Sequence, residues 1–189
     1  MTVLVGMYVT HSVWVAAIAY HVVAGAVLWG DRNRMPEQIA LKPDSGALFG
    51  LNALIGLSTG VLLYALWPLL GVPKDIGARL GQLGLTSWLG FGIYYCSVNP
   101  LIEELFWRRY LETPSSFPAR NDILFAGYHM LVLALFVDWK WLLAAFGLLV
   151  LASWIWGHTA RTRKGILVIT ASHLLADLGI IIAGSMHGR

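Results

Sequence analysis

The chain has 189 residues, of which 58% are hydrophobic and only 12% charged, with a formal net charge of +3 and a mean hydropathy of +0.68. A soluble domain carries about 25% charged residues, so this composition argues against a soluble bundle, which would need four fully apolar helices with no wet face. The basic residues are scattered over loops without interleaved aromatics, which argues against a nucleic-acid partner, and the single Cys96 excludes an intramolecular disulfide.

Long tracts without Asp, Glu, Lys or Arg predict an all-α, polytopic transmembrane bundle of about six spans, near 4–29, 46–70, 82–107, 121–137, 140–157 and 165–185. Four of these tracts, 1–30, 45–73, 80–102 and 141–160, approach or exceed the ~20 residues that cross ~30 Å of hydrocarbon. The first has neither a basic leader nor a small-residue cleavage site, so it reads as a retained span. Its His11 and His21 have no acidic partner at helical spacing and read as packing or substrate-facing residues. The second contains Gly56-Leu57-Ser58-Thr59-Gly60, a GxxxG that lets helix backbones approach closely. The third ends in Glu103-Glu104. A shorter tract, 123–137, precedes the Asp138–Lys140 turn, where Trp139 and Trp141 alternate with the charges; Trp154 and Trp156 come before the basic loop at 161–164. Such rings collect at the headgroup level of a bilayer. The last tract, 165–184, is interrupted only by Asp177. His158 and His187 fall in a loop and in the tail. With short loops and no repeat, the chain reads as one membrane domain over 1–189, with two accessory spans in 1–80.

Basic residues orient the bundle. The first, third and fifth loops hold Arg32, Arg34, Lys42, Arg108, Arg109, Arg120, Arg161, Arg163 and Lys164, against Lys74, Arg79, Lys140 and Arg189 on the other side. The richer side is expected in the cytoplasm, with both termini outside.

Three stretches then converge: Pro100–Arg108 ending the third span, Phe125–His129 in the fourth and His173–Asp177 in the sixth. At 1.5 Å per residue, Glu103 lies about 8 Å inward from Arg108, and His129 and His173 about 12 Å inward from the ends of their helices. Side chains at i and i+4 share a helix face, so Glu104 is expected over Arg108, and His173 over Asp177. Glu103, rotated by about 100°, is expected to face the two histidines across the interface. Asn99-Pro100 is expected to kink or restart the helix, and a new N-terminus would favour ionised glutamates. Ionisable side chains at this depth are costly, about 2.5–3.5 kcal/mol each. A carboxylate that takes a proton from water, with a donor for the oxyanion, is what hydrolysis requires.

Together, Glu103-Glu104-Leu-Phe-Trp-Arg108, Phe125-Ala-Gly-Tyr-His129 and His173-Leu-Leu-Ala-Asp177 resemble the CPBP intramembrane proteases. This is the ABI or CAAX-protease family, which includes the type II CAAX prenyl endopeptidases and bacterial proteins linked to bacteriocin self-immunity. The resemblance covers residues 84–185 and implies a four-helix catalytic core. It implies a glutamate-dependent endopeptidase that cuts a membrane-anchored protein or peptide near its C-terminus, close to the membrane surface; the basic residues put that surface on the cytoplasmic side, and the membrane is expected to be bacterial or archaeal. The substrate would be a CAAX-type tail or, in a bacterial host, where CAAX prenylation is not expected, a C-terminal sorting tail. By the same resemblance Glu103 activates water with His129, His173 and Asp177 hold the oxyanion, and Glu104, Arg108 and Phe125 support the site. Asp177 either donates when protonated or orients His173. No cofactor is expected. A zinc ion on Glu103, His129 and His173 is the alternative, without the one-helix His-Glu-x-x-His spacing. Two other functions fit the composition: a non-catalytic immunity or scaffold protein, and a proton-coupled transporter, for which no inverted repeat is evident.

Overall fold

The computed structural model describes residues 1–34, 46–85, 87–111, 115–163 and 165–187, and its described residues form helices and turns with no strand. Lys42, Lys164 and Arg189, which count towards the expected orientation, lie outside the described residues. In chain order the helices are α1 (Thr2–Leu4, running on as a π-helix over Val5–Val9), α2 (Val13–Gly30), α3 (Gly46–Leu66) and α4 (Ile76–Gln82). They continue with α5 (Trp88–Leu105, extended by a π-helix over Phe106–Tyr110), α6 (Arg120–Leu133), α7 (Trp139–Arg163) and α8 (Leu167–His187).

Four segments are long and apolar enough to cross a membrane: Val13–Gly30, Phe49–Leu69, Trp139–Thr162 and Leu167–His187. The expected third and fourth spans do not reach that standard. Helix α5 has the length, 18 residues, but carries Asn99, Glu103 and Glu104 among aromatics and glycines. Helix α6 has 14 residues, about 21 Å of rise, because the chain turns after Leu133 instead of continuing to 137.

The first expected span, 4–29, is two helices and a turn. The Ser12 side chain caps α2 by accepting from Val15 N–H, as N-cap serines do, and His11 takes a left-handed φ of 49°. Ser12 N–H donates to Gly6 C=O at 2.8 Å, and the first turn folds back on α2 so closely that a Cβ on Gly6 would overlap the Ala16 backbone. No charge marks this turn, so hydropathy alone runs straight through it.

Pro100 lies inside α5, which continues across it. No restarted N-terminus faces the glutamates, and the dipole effect expected there does not arise.

Helix α8 is the centre of the assembly. Its buried residues Ile169, Ser172, His173, Ala176, Asp177, Ala183 and Gly184 follow helical spacing along its length. Helices α3 and α5 pack against it, α2 packs on α5, and α6 pairs with α7. Along α3, a Cβ at Gly56 or Gly60 would collide with the α8 backbone at Ser172 or Gly179. The GxxxG is therefore a point of close helix approach. The other faces of α3 and α7 expose Leu51, Leu54, Leu57, Val61, Leu62, Leu143, Leu148 and Leu151, the surface a helix presents to lipid.

Candidate active site

The last α-helical turn of α5 brings Glu103 and Glu104 into the interior, 1% and 0% exposed. The π-turn that follows keeps Arg108 buried as well, at 1%. Single π-turns are frequent at functional sites because they re-aim side chains within a helix. Arg108 Nε stands 3.5 Å from Glu104 Oε2, as the i, i+4 spacing predicts. Its guanidinium lies over the Phe125 ring at 4.4 Å, with the Trp156 ring at 5.9 Å. A cation placed over aromatic faces is attracted by the ring quadrupole.

His173, from α8, stands among three carboxylates. Its Nδ1 is 2.8 Å from Glu104 Oε1. Its Nε2 is 3.6 Å from Asp177 Oδ1 and 3.8 Å from Glu103 Oε2. Trp156 of α7 stacks on the imidazole at 4.9 Å, with 26° between the ring planes. A ring fixed on one face by stacking and at both nitrogens by carboxylates has a single orientation.

The expected division between the glutamates is therefore altered. Glu104 serves Arg108 and also makes the closest polar contact to His173. Glu103 faces His173 at longer range and accepts a hydrogen bond from the Tyr128 hydroxyl. Glu103 Oε2, Glu104 Oε2 and all three Arg108 nitrogens have no hydrogen-bond partner among the described residues.

His129 occupies a different position from the one expected. Its Nδ1 lies 2.8 Å from Phe125 C=O and donates to it, leaving Nε2 as the acceptor nitrogen. The ring packs at a tilt against Tyr128 at 4.1 Å and Phe125 at 4.5 Å. Among the described residues, no hydrogen bond or ion pair joins it to Glu103; Tyr128 stands between them. Among the described residues no group of three His, Cys, Asp or Glu side chains stands close enough together to hold a metal ion, the set of Glu103, His129 and His173 included.

The structure thus gathers Glu103, Glu104, Arg108, Phe125, His173 and Asp177 at one place and sets His129 one ring away. It also adds residues that the motifs do not single out. Tyr128 is the residue before His129, and Trp156 lies one helix away. Asn99, one turn before Glu103, donates to Asp177 Oδ2 at 3.1 Å. The i, i+4 relation of Asn99 to Glu103 is the one sequence signal that could have found it. Tyr128 belongs to an aromatic wall: it lies parallel to Trp107 at 5.7 Å and stacks on Tyr20 at 5.4 Å, and Trp107 Nε1–H donates to Tyr20 Oη at 2.9 Å.

No family model matches this chain, and no curated protein or solved structure matches it.

Proposed function

We propose that the chain is a multi-pass membrane protein with six spans, α5 and α6 crossing as the polar pair, and that the buried cluster hydrolyses a peptide bond. The substrate class is a membrane-anchored protein or peptide cut near its C-terminus, as the resemblance to the CPBP proteases implies, at the cytoplasmic face. The chemistry proposed involves no metal step.

The observation that carries it is Glu103 Oε2, which has no hydrogen-bond partner among the described residues and lies 3.8 Å from His173 Nε2 within a buried cluster. The Tyr128 hydroxyl holds the other carboxylate oxygen, which leaves Oε2 to take the proton of an attacking water and to hand it to the amine that departs as the C–N bond breaks. In its protonated form, His173 Nε2–H donates to the oxyanion that develops on the carbonyl, and Asp177 keeps that nitrogen in place. Glu104 and Arg108 offset each other's charge beside it. His129 supports Tyr128 through ring contact instead of touching the water itself. Acid–base catalysis of this kind contributes about 10²–10⁴-fold in rate.

A structural lock is the second reading, favoured by the burial of every member of the cluster: Asp177, the most exposed, is at 7%. Wild type and Glu103→Ala expressed at equal levels in the native host separate the two when C-termini of membrane proteins are compared by mass spectrometry. Defined C-terminal fragments made only by the wild type are expected. Matching profiles, with the cell's phenotype intact, would leave the glutamates structural and point to a binding or immunity role.

A further inference from the structure

Helix α2 carries none of the motif residues, yet His21 sits on it buried at 6% exposure, facing α5. Its Nδ1 lies 2.8 Å from Tyr94 Oη and its Nε2 lies 3.1 Å from Asn99 Oδ1. Asn99, 2% exposed, spends its amide group on Asp177.

Chemistry fixes the direction of this chain. The NH₂ of Asn99 donates to Asp177, so its carbonyl oxygen faces His21. That carbonyl can only accept, so His21 carries its proton on Nε2. Nδ1 is then an acceptor, filled by the Tyr94 hydroxyl. The donor sequence is Tyr94 to His21 to Asn99 to Asp177, and Asp177 Oδ1 stands 3.6 Å from His173 Nε2. Every link is buried or half-buried, where a lost partner is expensive.

We infer that His21, acting through Asn99, is a positioning residue that holds the Asp177 carboxylate against His173, so that α2 helps to build the site. The inference deepens the hydrolase reading and rests on it for its effect on rate, while the hydrogen-bonded linkage can be measured without any substrate. His21 and Asn99 would touch no reacting atom. Their work is to keep Asp177 from rotating, which would let the His173 ring turn away from Glu103.

The test uses the full chain labelled with ¹⁵N-histidine in lipid vesicles and read by NMR, with signals assigned by His21→Gln and His173→Gln. The expected result is a neutral Nε2–H tautomer at His21, and a shift of the His173 signals in His21→Leu and in Asn99→Leu. Among the described residues no hydrogen bond or ring contact joins His21 directly to His173, so a shift reports the linkage. His173 signals unchanged in both variants would overturn the proposal.

A swap adds a check on rate. Asn99→Asp alone sets two carboxylates against each other, and fragment formation should fall by about tenfold or more, as for misplaced catalytic groups. Asn99→Asp with Asp177→Asn restores a donor–acceptor pair and still accepts from His21, so most of the rate should return. A double variant no better than the single one would overturn the proposal. An intact NMR linkage in a wild type that makes no fragments would sink the hydrolase reading alone and leave the hold of His21 on Asp177 standing.

Discussion

Helix α8 has two unlike faces. Towards α3 it offers backbone: Ser172 and Gly179 lie against Gly56 and Gly60 so closely that a methyl group would not fit. Towards α5 it offers charge: His173 and Asp177 meet Glu103, Glu104 and Asn99. The first face has almost no chemistry and the second almost no tolerance for movement. In lipid, helix association depends on close packing, because burying apolar surface gains nothing against apolar tails. The difference teaches that the glycine seam anchors the helix whose opposite face carries the buried ionisable groups.

Substitutions on the two faces should therefore fail in different ways. Glu103→Gln keeps shape and can still accept from Tyr128. It should cut fragment formation by about 10²-fold or more while the melting temperature in detergent barely moves. Glu104→Ala leaves a buried arginine without its anion and should destabilise the fold by about 3–5 kcal/mol, read by SDS-induced unfolding. Glu104→Leu combined with Arg108→Met should recover most of that loss, since a buried ion pair replaced by apolar groups of similar volume is often neutral. If the paired replacement is as unstable as Glu104→Ala, charge compensation is the wrong account of that corner.

On the other face, Gly60→Ala should cost about 1–3 kcal/mol, the usual range for overpacking, with fragment formation falling in step as α8 loses its anchor. A loss of stability with full activity would break the proposed link between seam and site. Trp156→Leu removes the stack on His173, worth about 0.5–1.5 kcal/mol for an aromatic pair, and should slow the reaction more than it lowers the melting temperature. Leu62→Ala, on the outward face of α3, should change stability by less than about 0.5 kcal/mol.

Much of the site is legible in the sequence because helical spacing is a strong constraint. Glu104 and Arg108, four residues apart, do pair, and Glu103, His173 and Asp177 do converge from α5 and α8. The parts that spacing does not reveal are those that depend on distant chain segments. His21 has no acidic partner on its own helix, since its partners Tyr94 and Asn99 come from α5, 73 and 78 residues later. Asn99 beside Pro100 signals a helix break, yet α5 runs through the pair and the asparagine bridges His21 to Asp177. Tyr128 is a spacer in the motif between Phe125 and His129 but holds Glu103 itself. The fold diverges from the hydropathy pattern where a turn leaves no trace in it: His11 and Ser12 interrupt an uncharged tract, and the turn after Leu133 ends α6 early.

The most direct test of the central claim is hydrolysis in isotopic water. Membranes carrying wild type or Glu103→Gln would be incubated in H₂¹⁸O and their protein C-termini analysed by mass spectrometry. Activation of water by Glu103 predicts newly formed C-terminal carboxylates bearing one ¹⁸O with the wild type, reduced by about 10²-fold or more with the variant. The same labelled termini, in equal amounts from both membranes, would contradict it.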